Sequence, residues 1–262
     1  MNFNKKTVWI TGASSGIGKA LTYEFAKLGA KIIISSRNVE ELEKVKANCN
    51  GEAGNITIQR LDLEKHDEIK DIAQQVLKEI DHVDILINNG GISQRSLTKE
   101  TPLEIDKRLM NINFFGTICL TKELLPSMLN RKEGHIVVIS SLTGKFGAPL
   151  RSAYAASKHA LHGFFDTLRS EIWKDNINIS IICPGYIKTN ISINAITKSG
   201  EAQNSMDDAT DKGMKPEVLA KKIIKAIKSK KEESVIGGTE TIGVFLKRFF
   251  PRLFSKIIRK KV

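Results

Sequence analysis

The chain has 262 residues, 41% of them hydrophobic and 27% charged, which is ordinary globular composition and enough length for one large α/β domain. Its net charge of +12 hints at nucleic acid, but seven basic residues and no acid crowd into residues 244–262, leaving 34 basic against 29 acidic elsewhere, a balance of +5. With no aromatic-interleaved basic patch outside that tail, no nucleic-acid partner is expected; three scattered cysteines (Cys49, Cys119, Cys183) form neither a disulfide framework nor a metal-ligand spacing, and no apolar run approaches the ~20 residues that span a bilayer.

Apolar β-rich runs alternate with helical patterns along the chain. Thr7–Thr11 is followed by helical spacing over Gly16–Leu28, Lys31–Ser36 by a charged helix over Val39–Asn48, and Ile56–Leu61 by a helix over His66–Ile80. Val83–Ile87 precedes an interrupted helical stretch from Leu103 to Asn130. His135–Ile139 precedes a helix over Ala153–Lys174. Ile177–Cys183 precedes a proline-started helix over Pro216–Lys228, and Ser234–Ile236 closes the series. Strands separated by helices of this length predict right-handed crossovers and a parallel sheet covered on both faces. Strands buried on both faces are continuously apolar, as "KIIIS", "HIVVIS" and "INISIIC" are. The expected fold is α/β, a single doubly wound parallel sheet of the Rossmann type. Its ligands sit beyond the carboxyl ends of the strands, in the loops at 11–18, 36–38, 61–63, 87–93, 140–152 and 184–200.

The first of these loops, Thr11-Gly12-Ala13-Ser14-Ser15-Gly16-Ile17-Gly18, lies between the first strand and the first helix. Glycine there lets backbone N–H groups approach a pyrophosphate at a positive helix N-terminus. The bland reading is a plain Gly/Ser turn, but the strand–loop–helix context is the one dinucleotide binding needs. The second strand ends in Ser35-Ser36-Arg37-Asn38. NAD enzymes place an acid here for the ribose 2′-OH, whereas an arginine suits the 2′-phosphate of NADP(H). Arg37 could also be a solvated surface residue. Asp62 ends the third strand and reads equally as an adenine contact or as a turn residue accepting its own backbone N–H. Tyr154 and Lys158 are four apart on a helix and share a face. A free tyrosine titrates near ~10, and a fixed ammonium nearby stabilises its phenolate.

These motifs, in order, resemble the short-chain dehydrogenase/reductase family over nearly the whole of Thr7–Ile236. The residues carrying the resemblance are the Thr11–Gly18 loop, Asp62, Asn88-Asn89-Gly90-Gly91, Asn113, Ser141, Tyr154 with Lys158, and Pro184-Gly185 with Thr189. One departure is visible: the family's Asn-Asn-Ala-Gly is here Asn-Asn-Gly-Gly. Within the family, "NNGGISQRSL", "YAASKHALHGFFDTLRSE" and "ICPGYIKTNI" are similar to the dehydrogenase/reductase member seven group, akin to microsomal hydroxysteroid dehydrogenases.

The resemblance implies Tyr154 as general acid in reduction and base in oxidation. It implies Lys158 as the group that lowers the tyrosine pKa and bonds the nicotinamide ribose. Ser141, rather than its neighbour Ser140, would bond the substrate oxygen, and Asn113 would hold a relay water. The cofactor would meet Gly12, Ser14, Ser15, Gly16, Ile17, Gly18, Arg37, Asp62, Leu63, Asn89 and Gly90, with Ile187 and Thr189 at the nicotinamide carboxamide. Residues 191–215, polar and irregular, would be the substrate lid. Leu142, Phe146, Leu150, Tyr186 and Ile191 would wall an apolar pocket. His135, His159 and His162 lack ligand spacing and read as structural.

The expected activity is therefore NADP(H)-dependent interconversion of a carbonyl and an alcohol on an apolar small molecule, with no metal. The competing reading is a catalytically silent dinucleotide-binding or scaffold protein, although all four of Asn113, Ser141, Tyr154 and Lys158 are present. A sugar-nucleotide epimerase or dehydratase would carry a differently spaced glycine loop and a larger C-terminal domain. Surplus apolar residues on the Tyr154 helix (Ala156, Leu161, Phe164, Phe165, Leu168, Ile172) suggest a homodimer or homotetramer. The catalytic domain is expected over 1–243 and a basic amphipathic tail over 244–262. In the tail Leu246, Phe249, Phe250, Leu253, Phe254 and Ile257 would form one apolar stripe opposite Lys247, Arg248, Lys256, Arg259 and Lys260, interrupted at Pro251. That pattern suits packing or peripheral contact with a membrane surface. The expected location is cytoplasmic, since the leading residues show no secretory segment and the thiols suit a reducing compartment.

Overall fold

A computed structural model describes residues 2–49 and 55–259. The strands are β1 Thr7–Thr11, β2 Lys31–Ser36, β3 Ile56–Arg60, β4 Ile85–Asn88, β5 Gly134–Ile139, β6 Ile177–Pro184 and β7 Glu233–Ile236. They form one sheet in the order β3-β2-β1-β4-β5-β6-β7, every pairing parallel. The helices between them are α1 Gly16–Ala26, α2 Val39–Ala47, α3 His66–Ile80, α4 Leu103–Met110, α5 Gly116–Arg131, α6 Ser152–Glu171, α7 Asp208–Asp211 and α8 Pro216–Lys228. Two more, α9 Ile242–Phe249 and α10 Pro251–Ile258, follow β7.

Alternate strand residues feed two separate cores. Val8, Ile10, Ile32, Ile34, Ile85 and Ile87 pack with α1, α2 and α8. Trp9, Ile33, Leu86, Ile136 and Val138 pack with α3, α5 and α6 on the opposite face. Because both faces are buried, neither set can be polar, and this is why the runs lack alternation. Chain order reverses between β1 and β4, so the loops after these strands splay apart and open a crevice there. The interrupted stretch after Leu103 is helical throughout, with a π-helical turn at Asn111–Phe115 joining α4 to α5. Such turns recur at functional sites, and this one contains Asn113.

His135 is fully buried in β5. Ser180 donates its one hydrogen to the Lys231 carbonyl at 2.6 Å, so it accepts from His135 Nε2–H at 2.8 Å and fixes the neutral tautomer. Burial pushes His135 down to about 4. His162, desolvated and facing Lys145, is also pushed down to about 4. In the unfolded chain both bind a proton near the ordinary histidine value; the folded chain resists until about 4. The unfolded state therefore holds more protons in that window, and stability is lost as pH falls through it, by up to about 1.4 kcal/mol per pH unit per histidine. Urea midpoints should fall from pH 7 to pH 5, and His135→Gln should remove its share of the slope. A flat profile contradicts this.

Candidate active site

The carboxyl ends of β1, β2, β4, β5 and β6 border a cleft of about 880 Å³. At one end the loop after β1 turns on Gly12 (φ +63°) and Gly16 (φ +53°), both in the left-handed region that favours glycine. A Cβ on Gly12 would lie 2.8 Å from the Gly90 Cα, so the first and fourth crossovers touch backbone to backbone. Thr11 ties them: its hydroxyl accepts from Asn89 N at 3.0 Å and Gly90 N at 2.9 Å. The Asn89 amide returns hydrogen bonds to the Thr11 and Gly12 carbonyls at 2.9 and 3.1 Å. Asn89 thus holds the loop open from behind. Gly90, where the family has alanine, would put a Cβ 2.6 Å from Leu63 Cδ1, so the leucine has taken that methyl's space.

Gly12, Ser14, Ser15, Gly16, Ile17, Arg37, Asp62, Leu63, Asn89, Gly90, Ile187 and Thr189 all line this cleft. Gly18 does not; it is buried one turn into α1, packed against the Gly12 carbonyl and Ala13. Arg37 is exposed at the rim beyond β2. Asp62 accepts from Glu64 N at 3.1 Å, so it acts as a turn residue while bordering the cleft. Thr189 brings its methyl against Gly16. A cradle of glycines that no Cβ could enter, opening at the N-terminus of α1, fits the diphosphate of a dinucleotide.

At the other end α6 presents Tyr154, and Lys158 lies one turn on. The Tyr154 hydroxyl faces the Ser141 side chain, whose oxygen accepts from Thr143 N at 3.1 Å. Ser140 turns the other way, to His162 Nε2 at 3.0 Å. Lys158 donates to the Ile139 carbonyl at 2.8 Å, and burial pushes it down to about 8. Burial raises Tyr154, opposed by the Ser141 hydroxyl and then by the guanidiniums of Arg95 and Arg151. The Lys158 ammonium lies 5.8 Å from the centre of the Tyr154 ring, and two arginines in loops add positive charge that no sequence motif signalled. Asn113 is anchored from three sides: Ile92 N donates to it at 2.8 Å, and it donates to the Ile92 carbonyl at 2.9 Å and the Ser157 hydroxyl at 3.0 Å. His162 also faces Cys183 at 3.6 Å through Nε2, with Glu233 at 3.7 Å from Nδ1. The acid and the thiol thus meet opposite edges of one ring, and Lys145 already pairs with Glu233.

Residues 6–200 match the family described as short chain dehydrogenase. The dehydrogenase/reductase SDR family protein 7-like of Drosophila melanogaster is 42% identical over 98% of this chain and 80% of its own length. The chain is a short-chain dehydrogenase/reductase. Two solved structures share the fold. A family member from Burkholderia phymatum in complex with NAD has a TM-score of 0.86 at 22% identity, over 97% of this chain and 96% of its own. ElxO with NADP bound has a TM-score of 0.77 at 29% identity, over 88% and 97%.

In this short-chain dehydrogenase/reductase the tail packs on the domain, one of the two placements that its pattern suits: α9 starts at Ile242, and Leu246, Phe254, Ile257 and Ile258 line the cleft itself. Phe254 packs on Leu142 and Phe146, its ring 5.0 Å from that of Phe146. The tail forms two short helices divided at Pro251, as its sequence predicts. The chain turns at Phe250 (φ −132°, ψ 58°) because Pro251 must begin a new helix, so Leu246 and Phe254 face inward while Phe249, Phe250 and Leu253 face solvent. Lys260 and Lys261 lie outside the described residues.

Leu142, Phe146, Tyr186 and Ile191 border the cleft, but Leu150 does not: its carbonyl accepts from Ser96 N at 3.2 Å. The segment 191–215 is stitched down at its start, where Ile196 N donates to Ser93 O and Arg95 N donates to Ile196 O, each at 2.9 Å. Arg95 and Arg151, absent from the residues read out of the sequence, both border the cleft and share the carboxylate of Asp207.

Proposed function

We propose that this short-chain dehydrogenase/reductase uses NADP(H) to interconvert a carbonyl and an alcohol on an apolar small molecule. The observation that carries the reading is Tyr154, with Ser141 and Lys158 beside it, bordering a cleft whose other end is the glycine cradle. When bound, the nicotinamide supplies or accepts the hydride. Ser141 orients the substrate oxygen and donates to it as charge develops there. Tyr154 gives that oxygen a proton in reduction and removes it in oxidation. Burial keeps Tyr154 protonated at neutral pH, the form a reductase needs, and the nearby cations keep the phenolate accessible afterwards. Lys158 and Arg37 supply positive charge to the ribose and 2′-phosphate regions. Leu142, Phe146, Leu246 and Phe254 exclude water from the apolar part of the substrate. A panel of ketones, aldehydes, steroids and their alcohols, followed at the NADPH absorbance, tests the reading. No turnover with any of them favours a silent binding protein.

For the assembly, we infer a second copy from what α6 leaves uncovered. Leu161, Phe165, Leu168 and Ile172 are consumed by the chain's own core, leaving Ala156 exposed and Phe164 half-buried, with Leu103 and Phe115 exposed on neighbouring elements. A second copy covers this face, giving a homodimer or a homotetramer. A monomeric mass by light scattering at micromolar concentration refutes that.

The tail supports peripheral docking on an anionic membrane. Phe245, Phe249, Phe250 and Leu253 are about half exposed or more, beside Lys247, Arg248, Arg252 and Lys256, with no acid from 244 onward. No described helix is long and apolar enough to cross a membrane. The free thiols of Cys49, Cys119 and Cys183 suit a reducing, cytoplasmic side. Truncation at Gly243 would remove the cleft wall, so the discriminating variant is Phe249→Ser with Phe250→Ser, both outward-facing. The wild type should float with phosphatidylserine-containing vesicles at low salt and the double variant should not. Wild type remaining in the soluble fraction refutes the docking.

A further inference from the structure

The polar wall beside Tyr154 has a charge balance that the proposed apolar substrate does not explain. Arg95 lies in the loop that follows β4 and Arg151 precedes α6, three residues before Tyr154. Both side chains are largely buried, at 8% and 20% exposure. Both contact one carboxylate, Asp207, brought in by the segment that crosses the cleft. Arg95 donates through Nε at 3.0 Å and also through Nη2; Arg151 donates through Nη2 at 3.1 Å. Arg95 is more heavily engaged, its Nη1 donating to the Ser93 hydroxyl at 2.9 Å and the Gln94 carbonyl at 2.6 Å. Arg151 has one further hydrogen bond, Nη1 to the Pro149 carbonyl at 3.3 Å.

Two guanidiniums against one carboxylate leave a single positive charge in the wall. Asp207 is not among the residues bordering the cleft, whereas both arginines are. The carboxylate therefore orients the pair from behind, and the surplus charge faces the substrate. Arg151 retains donors toward the cleft, since a guanidinium offers five N–H groups and two are used. The other carboxylate bordering that end, Glu240, is turned away, accepting from Tyr186 N at 3.1 Å and Gly238 N at 2.9 Å. A buried surplus charge is costly unless a partner meets it. A planar guanidinium held in a fixed orientation matches carboxylate and phosphate oxygens.

We propose that Arg151, positioned by Asp207 and backed by Arg95, holds an anionic group of the substrate, a carboxylate or a phosphate monoester carried near the reacting carbonyl. The substrate is then an amphiphile. Its anion lies against Arg151, its carbonyl against Tyr154 and Ser141, and its apolar body against Leu142, Phe146 and the tail helices. This rests on the carbonyl–alcohol activity proposed above and narrows its substrate class. The anion also fixes which carbonyl of a larger molecule meets Tyr154.

The test uses the full chain with NADPH and matched substrates: apolar oxo acids against their methyl esters, and phosphorylated hydroxyketones against the unphosphorylated ketones. The anionic member of at least one set should be preferred about tenfold or more in kcat/KM, the range of one charged hydrogen bond. The acid and phosphate arms tell the two anions apart. Arg151→Gln should collapse that ratio toward one, acting mainly on KM of the anion, and Arg151→Lys should restore part of it. If neutral ketones are reduced as well as their anionic partners, the anion site is overturned while the activity stands. If Arg151→Gln slows both members equally, the arginine serves Tyr154 or the fold, and the site is likewise overturned. If nothing is reduced, the activity itself falls, and binding decides the site: octanoate or octyl phosphate should raise the Tm of the wild type with NADPH more than octanol does, and not that of Arg151→Gln. Equal shifts overturn it.

Discussion

Tyr154→Phe lowers turnover by at least about 100-fold, the usual contribution of a positioned general acid or base, while the dissociation constant of NADPH stays within about twofold. The substitution removes one oxygen and keeps the ring, which packs against the small cluster of Leu109, Ala153 and Ile196. The glycine cradle at the other end of the cleft loses no contact. Ser141 can still bond a substrate oxygen, but its own proton is a poor substitute because a serine alkoxide has no aromatic ring to delocalise the charge left behind. Lys158 is held on the Ile139 carbonyl, its ammonium 5.8 Å from the centre of the Tyr154 ring. Steady-state rates with the best substrate of the panel, together with NADPH fluorescence titration, separate the two quantities. A variant with more than about a hundredth of wild-type turnover contradicts the acid/base role. A variant that loses turnover and NADPH affinity together points to a structural role for the hydroxyl instead.

Arg37→Ala weakens NADPH about tenfold or more and leaves NADH within about twofold. Strand β2 ends without an acid to accept from a ribose 2′-OH, and Arg37 is the cation at that rim of the cleft. A charged hydrogen bond to a 2′-phosphate contributes about 1.5–3 kcal/mol, and about 1.4 kcal/mol is tenfold in affinity. Arg37 is exposed, so salt screens the effect, and the ratio between the two cofactors should shrink as ionic strength rises. Arg37→Asp should go further, repelling the phosphate and offering a carboxylate to the 2′-OH of NADH. Equal affinity of the wild type for both dinucleotides, or unchanged NADPH binding in Arg37→Ala, removes the case for NADP(H).

Much of the scaffold was legible in the sequence because its signals are local. A strand such as Lys31–Ser36 is continuously apolar only where both faces are covered, so the run alone implies a parallel sheet between helix layers. The Thr11–Gly18 loop sits between a strand and a helix, and Tyr154 and Lys158 share a helix face by spacing alone. The Gly16 and Val39 helix starts and the whole of β2 fell where the pattern put them. Ends slipped by a few residues where helices unwind, as at Ala26 and Glu171.

What needed the tertiary structure was every contact between segments far apart in sequence. The Thr11–Asn89 tie, which holds two crossovers together, joins positions 78 residues apart. Arg95 and Asp207 are 112 apart, and neither "ISQRSL" nor "NSMDDAT" betrays that they meet. Periodicity showed that the tail is amphipathic, but not that the turn at Phe250 would aim Phe254 at Phe146 and leave Phe249 outside. Periodicity records which face of an element is apolar, because burial acts on each element through its own repeat. Which polar groups then pair is set by how the loops at the carboxyl ends of the strands pack on one another. A hydrogen bond or ion pair depends on fractions of an ångström that no local repeat encodes.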